Sequence, residues 1–141
     1  MVSIDSSSVS LVWKFRLACL AYCLLLTTLL LMPNPVALLG LGALGGLLGG
    51  SGVHFAAFFV LGLLVPASRF PLRVVLLASL LLLFAVGAEL LQLLNPSRTV
   101  DVLDLLGNLI GMAVGVALGL LTVKWKTRAF RDAVSTCRKA V

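Results

Sequence analysis

Residues 88–111 read AELLQLLNPSRTVDVLDLLGNLIG and join two long apolar runs. This stretch holds Glu89, Asp101 and Asp104, three of the five acidic residues of the chain, with Gln92, Arg98 and Asn108 among them. On a helix, residues three or four apart share a face, so Glu89 and Gln92 point the same way. By the same spacing Asp101, Asp104 and Asn108 form a second polar stripe, continued by Gly111. Asn95-Pro96-Ser97-Arg98-Thr99 reads as a short turn that folds the two stripes together. The expectation is one polar site at the junction of two membrane helices.

Working outward, the composition agrees. Of 141 residues, 61% are hydrophobic and only 11% charged, against roughly a quarter charged in soluble domains. A water-soluble fold of this size has too little polar surface to cover so many Leu, Val and Ala side chains. Apolar runs of about 20 residues fit a hydrocarbon core about 30 Å thick. The fold class expected is an all-α membrane protein: four transmembrane helices in a compact bundle, with an additional Gly-rich apolar loop or re-entrant segment. The expected divisions are a disordered, Ser-rich tail over 1–10, a four-helix membrane domain over 11–123 and a basic tail over 124–141.

The first apolar run covers 17–32 and extends back toward Leu11, with Trp13 at the interface and Lys14 and Arg16 snorkelling to the surface. Its competing reading is a signal peptide, but no A-x-A site follows its apolar core closely. Proline cannot continue the backbone ladder, so Pro33-Asn34-Pro35 ends this helix. Residues 36–52 are uncharged and carry seven glycines. They match G-x-G-x-x-G at Gly40, Gly42 and Gly45, without the flanking strand or the later acid that nucleotide binding requires. A surface loop, a re-entrant loop and a helical hairpin arm all remain open for this segment. The second span is read over 51–67, opening at His54-Phe55. The third covers 74–94, about 31 Å of helix, and the fourth 102–123. In the fourth, Gly107, Gly111, Gly115 and Gly119 recur every fourth residue, a stripe that lets a neighbouring helix approach closely.

The net charge of +6 does not point to nucleic acid, because the basic residues flank apolar runs. Four spans place the amino terminus, the Arg69/Arg73 loop and the basic tail on one side with ten basic residues, leaving Arg98 alone on the other. The positive-inside rule makes both termini cytoplasmic and turns the polar site outward. Cys19 and Cys23, one helical turn apart, read as small apolar thiols; no cysteine spacing suggests a disulfide or a metal site.

The polar residues also carry a resemblance. His54-Phe55, Glu89-x-x-Gln92, Pro96-x-Arg98 and Asp101-x-x-Asp104-x-x-x-Asn108-x-x-Gly111 resemble the VanZ-like family of small bacterial membrane proteins, over residues 50–115. Members commonly carry Asp-Lys four and three residues before the histidine, where this chain has Gly50 and Ser51. The resemblance implies a multi-pass protein of the bacterial cytoplasmic membrane, associated with the cell envelope and with tolerance to (lipo)glycopeptide antibiotics.

The expected binding residues are His54, Glu89, Gln92, Arg98, Asp101, Asp104 and Asn108, with no resident metal or cofactor. The expected partners are membrane lipids or lipid-linked cell-wall precursors. Arg98 suits phosphate through its planar donor fork. Plainer roles compete: Asp101 and Asp104 are spaced as N-cap and N3 of the fourth helix, and Asn108 and Gln92 suit hydrogen bonds between helices. An enzymatic reading stands second, as a hydrolase or transferase on an isoprenoid-phosphate or other lipid-linked substrate, with Glu89 and His54 as its catalytic candidates. The absence of a recognisable nucleophile motif weighs against it. A structural membrane partner built on the glycine stripe stands third.

Overall fold

The computed structural model describes residues 6–32, 40, 42–94 and 101–139. They form four helices: α1 (Ser6–Leu31), α2 (Gly42–Ser68), α3 (Val74–Gln92) and α4 (Val102–Lys139). Each contains a stretch long and apolar enough to cross a bilayer, respectively Ser10–Leu31, Gly49–Ser68, Val74–Gln92 and Val102–Ala129. No strand occurs among the described residues. The helices close into a bundle whose outer surface is largely aliphatic, with Leu20, Leu24, Leu83 and Leu121 all exposed, while His54, Glu89, Gln92 and Asn108 are buried. In water that distribution would be inverted. In hydrocarbon it is the stable one, because polar side chains are costly against lipid and gather inside the bundle.

The tightest packing joins α2 to α4. Gly107 faces the Ser51 carbonyl, Gly111 that of Phe55, Gly115 that of Phe59, and Gly119 the Leu63 carbonyl and the Pro66 ring. Both series advance together by four residues, so the two helices run parallel in register. A Cβ added at Gly107 would lie 2.7 Å from the Ser51 oxygen, closer than any side chain tolerates. Gly62 of α2 reciprocates, since a Cβ there would lie 2.5 Å from the Met112 carbonyl oxygen. With no hydrophobic drive between helices in lipid, such close backbone contact is a main source of association. Phe58, Leu61, Val65, Ala85, Ala88 and Met112 fill the space beside it, joined by Cys19 and Leu26 of α1.

At one end of the bundle α1 is tied to α2. The Ser68 hydroxyl, fully buried, donates to Leu64 O at 2.7 Å or to Phe15 O at 3.0 Å. Arg16 donates from Nε to Ser68 O at 3.1 Å and from Nη2 to Arg69 O at 2.9 Å. Its guanidinium also lies over the Trp13 and Phe70 rings. Arg16 therefore turns inward onto the free carbonyls that end α2, where a cation is favoured by the helix dipole, rather than reaching away to the surface. Further along, Tyr22 donates its hydroxyl to Ala57 O at 2.9 Å, which keeps α1 antiparallel to α2.

Several boundaries differ from the sequence reading. The helix of α1 opens at Ser6, inside the stretch read as a tail, and α4 continues through the basic segment to Lys139. After Gly119 that segment has neither glycine nor proline, and Lys, Arg and Ala are good helix formers. Within the Gly-rich region, residues 42–48 are helical and the chain breaks at Gly49, whose φ of 69° and ψ of 176° favour glycine. A short helical arm thus precedes the spanning part of α2; the rest of 36–41 except Gly40 lies outside the described residues. The third helix ends at Gln92, two residues early, with Leu93 and Leu94 in a tighter turn.

Candidate functional site

At the end of the bundle opposite Arg16 and Ser68, α2 and α4 begin and α3 finishes. Each brings polar side chains to the same place. On α3, Glu89 and Gln92 are one turn apart on the face that also buries Ala85 and Ala88, small residues that let this face come close to its neighbours. On α4, the period of four that puts Gly107 and Gly111 against α2 also carries Asp104 and Asn108 inward. His54 lies on α2 just after the Gly49 break. A Cβ on Gly50 would lie 3.7 Å from Asp104 Oδ1, so the carboxylate rests beside bare backbone.

The centre of the cluster is Asn108, which is fully buried. Its Nδ2 donates to Glu89 Oε1 at 2.7 Å, and its Oδ1 lies 3.0 Å from His54 Nδ1. Because the amide nitrogen serves the carboxylate, the amide oxygen is left to accept, and the proton between Asn108 and His54 belongs on Nδ1. This orientation is assigned from the hydrogen-bond pattern. The Nε2 edge of the ring faces Asp104 Oδ2 at 3.6 Å, and Nδ1 lies 3.5 Å from Glu89 Oε1. Those two separations are too long for hydrogen bonds but short enough for strong Coulomb attraction when the ring is charged. One imidazole is thus set between two carboxylates and held by an amide.

Exposure grades across the cluster. Glu89 is 2% exposed and His54 7%, whereas the Asp104 side chain is 18% exposed and forms the lip. Glu89 sits three residues before the end of α3, about 4–5 Å along the axis. Gln92 is almost fully buried, and its Nε2 has no acceptor among the described residues. That leaves a buried amide donor group on the same turn as Glu89 without a partner among these residues. Asp101 stands apart from the cluster. Its Oδ1 accepts from Leu103 N at 2.8 Å, which caps the first turn of α4, and it is exposed. Arg98 lies outside the described residues.

The structure therefore brings His54, Glu89, Asp104 and Asn108 into one connected group, sets Gln92 on the same turn as Glu89, and leaves Asp101 at the helix start. Among the described residues no three His, Cys, Asp or Glu side chains converge closely enough to hold a metal ion. The link from His54 to Asn108 spans 54 positions, and helical periodicity alone does not predict it. The signal that finds it is the glycine stripe, which fixes α2 beside α4 in a register that pairs Ser51 with Gly107.

Neither curated proteins nor solved structures gave a match to this chain. The family described as VanZ/LLP1 matches residues 19–123, a range that runs from Cys19 of α1 through all three helices of the polar cluster. With most of its length inside that match, including all of α3 and the spanning part of α2, the chain belongs to the VanZ/LLP1 family.

Proposed function

We propose that this protein binds the headgroup of a membrane lipid or lipid-linked cell-wall precursor at the polar cluster, on the side of the membrane away from the cytosol. The observation that carries the reading is the buried His54–Asn108–Glu89 network, opening toward the half-buried Asp104 in a bundle otherwise nearly free of polar side chains. Hydroxyl groups of a headgroup can donate to the Asp104 carboxylate. Gln92 Nε2 supplies a donor, and Arg98, three residues before Asp101 in the sequence, supplies the group best suited to phosphate. Ten basic residues against one favour a cytoplasmic location for both termini, and an outward-facing site suits precursors of the wall. Altered tolerance to (lipo)glycopeptide antibiotics is the cellular consequence expected of such binding.

The test is binding by the purified full-length protein of a short-chain phosphatidylglycerol and of a short-chain isoprenyl phosphate. Asp104→Asn, at the lip, and Arg98→Ala are each expected to weaken binding of at least one probe by about tenfold, equivalent to roughly 1.4 kcal/mol. Wild-type affinity in both variants for both probes would overturn the reading.

A second reading has one observation in its favour. The His54 ring is oriented by Asn108 with its far nitrogen toward Asp104, an arrangement able to hold and move a proton during hydrolysis or group transfer on an isoprenoid-phosphate or other lipid-linked substrate. Glu89→Gln separates the two: catalysis would fall by orders of magnitude, whereas a binding pocket would weaken only several-fold.

A further inference from the structure

The polar cluster has an apolar neighbour. With α1 antiparallel to α2, and α3 antiparallel to α4, which runs parallel to α2, α1 and α3 run the same way, and they leave a cleft of about 340 Å³ between them. Its walls include Thr27 and Leu30 of α1 and Leu80, Phe84, Gly87 and Leu91 of α3. Thr27 donates its hydroxyl to Cys23 O at 2.9 Å, so this polar side chain already has its partner and the wall is hydrocarbon in character. From Leu80 to Leu91 the cleft follows α3 for about 16 Å, close to half of a hydrocarbon core about 30 Å thick. It ends on the turn whose other face bears Glu89 and Gln92. A Cβ at Gly87 would meet nothing within 4 Å, so a side chain at position 87 would project into this space.

We propose that this cleft seats one acyl chain of a glycerophospholipid whose headgroup is held by the polar cluster; this deepens the headgroup reading above and rests on it. The dimension selects the occupant. A cleft one leaflet long fits a chain of the kind that makes up the leaflet, whereas a long polyisoprenyl chain overruns it. Ala88 gives continuity, because it lines the cleft and lies one turn before Gln92 on the buried face of α3: a lipid with one tail against Gly87 has its polar end at the level of Gln92. Glycine at 87 then serves ligand shape rather than helix packing, in contrast to Gly107, Gly111 and Gly115, which meet backbone.

The experiment is native mass spectrometry of the full-length protein in detergent, titrated with dioleoyl phosphatidylglycerol, dihexanoyl phosphatidylglycerol and a long-chain polyisoprenyl phosphate. Gly87→Phe and Gly87→Leu place a side chain in the cleft from a position where a Cβ meets nothing within 4 Å. Both are expected to weaken dioleoyl phosphatidylglycerol by at least about tenfold, the loss of roughly two buried methylenes, and to leave the dihexanoyl form within about twofold, a span too small to reflect one buried methylene. Unchanged dioleoyl affinity in both variants overturns the proposal. So does polyisoprenyl phosphate binding more tightly than the dioleoyl lipid and being lost in Gly87→Phe, or a dimer that dissociates in Gly87→Phe with lipid binding intact. Failure of the headgroup reading is separate: dihexanoyl binding would then be unchanged in both Asp104→Asn and Arg98→Ala.

Discussion

Asn108 and Glu89 are joined by a hydrogen bond of 2.7 Å between two side chains that are almost completely buried. The same amide meets the His54 ring through its oxygen, so one neutral residue serves an acid and an imidazole on two other helices. An amide suits this role, because it presents a donor and an acceptor on one short plane.

Asn108→Leu should therefore lower stability well beyond the loss of one bond. Each buried polar group left without its partner costs about 1–3 kcal/mol, more when charged. Asn108→Asp should be at least as harmful, since it sets a second carboxylate against Glu89 and removes the donor. Thermal unfolding of the detergent-solubilised protein measures both, and a midpoint equal to wild type in either variant would show that the network carries no weight.

The glycines separate by what they touch. Gly111→Ala should destabilise the bundle by about 1–3 kcal/mol, the usual cost of overpacking, because the new methyl is driven into the Phe55 carbonyl. Gly87→Ala, facing open space, should be neutral or should stabilise by about 0.5–1 kcal/mol as the helix gains a better former. Reversible unfolding in mixed micelles can rank the pair. The reverse order would contradict the packing of α2 on α4.

Arg16→Lys is not a conservative change here. The guanidinium makes two bonds to the last carbonyls of α2 from two nitrogens, and a single ammonium cannot reproduce that fork. A loss of about 0.5–1.5 kcal/mol is expected, the ordinary worth of one hydrogen bond, with Arg16→Ala worse. Equal stability of Arg16→Lys and wild type would make the contact incidental.

How much of this was legible in the sequence follows from how local each signal is. Glu89 with Gln92, and Asp104 with Asn108, are readable because helical period acts over one turn. The parallel pairing of α2 and α4 is readable in part, since the glycine stripe announces a close neighbour without naming it. The Arg16–Ser68 tie is not, because a side-chain bond to a backbone carbonyl 52 positions away leaves no pattern in residue type. With seven glycines between 36 and 52, the one at Gly49 that breaks the helix cannot be singled out. The charged end of α4 reads as a basic tail by composition, although its residues are good helix formers, and Gly87 is one small residue in a long apolar run.

Orientation gives the last prediction. On the four-span reading of the sequence, Arg98 alone falls on the side of the polar cluster, while the amino-terminal segment, the loop between α2 and α3 and the basic end of α4 fall on the other. Lys and Arg are retained on the cytoplasmic face during insertion. A fluorescent protein fused after Val141 should therefore fold and fluoresce, and alkaline phosphatase fused within 95–100 should be active because it reaches the far side. Arg69→Ala with Arg73→Ala should leave this topology intact, since six basic residues remain beyond Val123. A fluorescent fusion within 95–100, with a dark one at the carboxy terminus, would turn the polar cluster toward the cytosol and exclude a ligand taken from the outer leaflet.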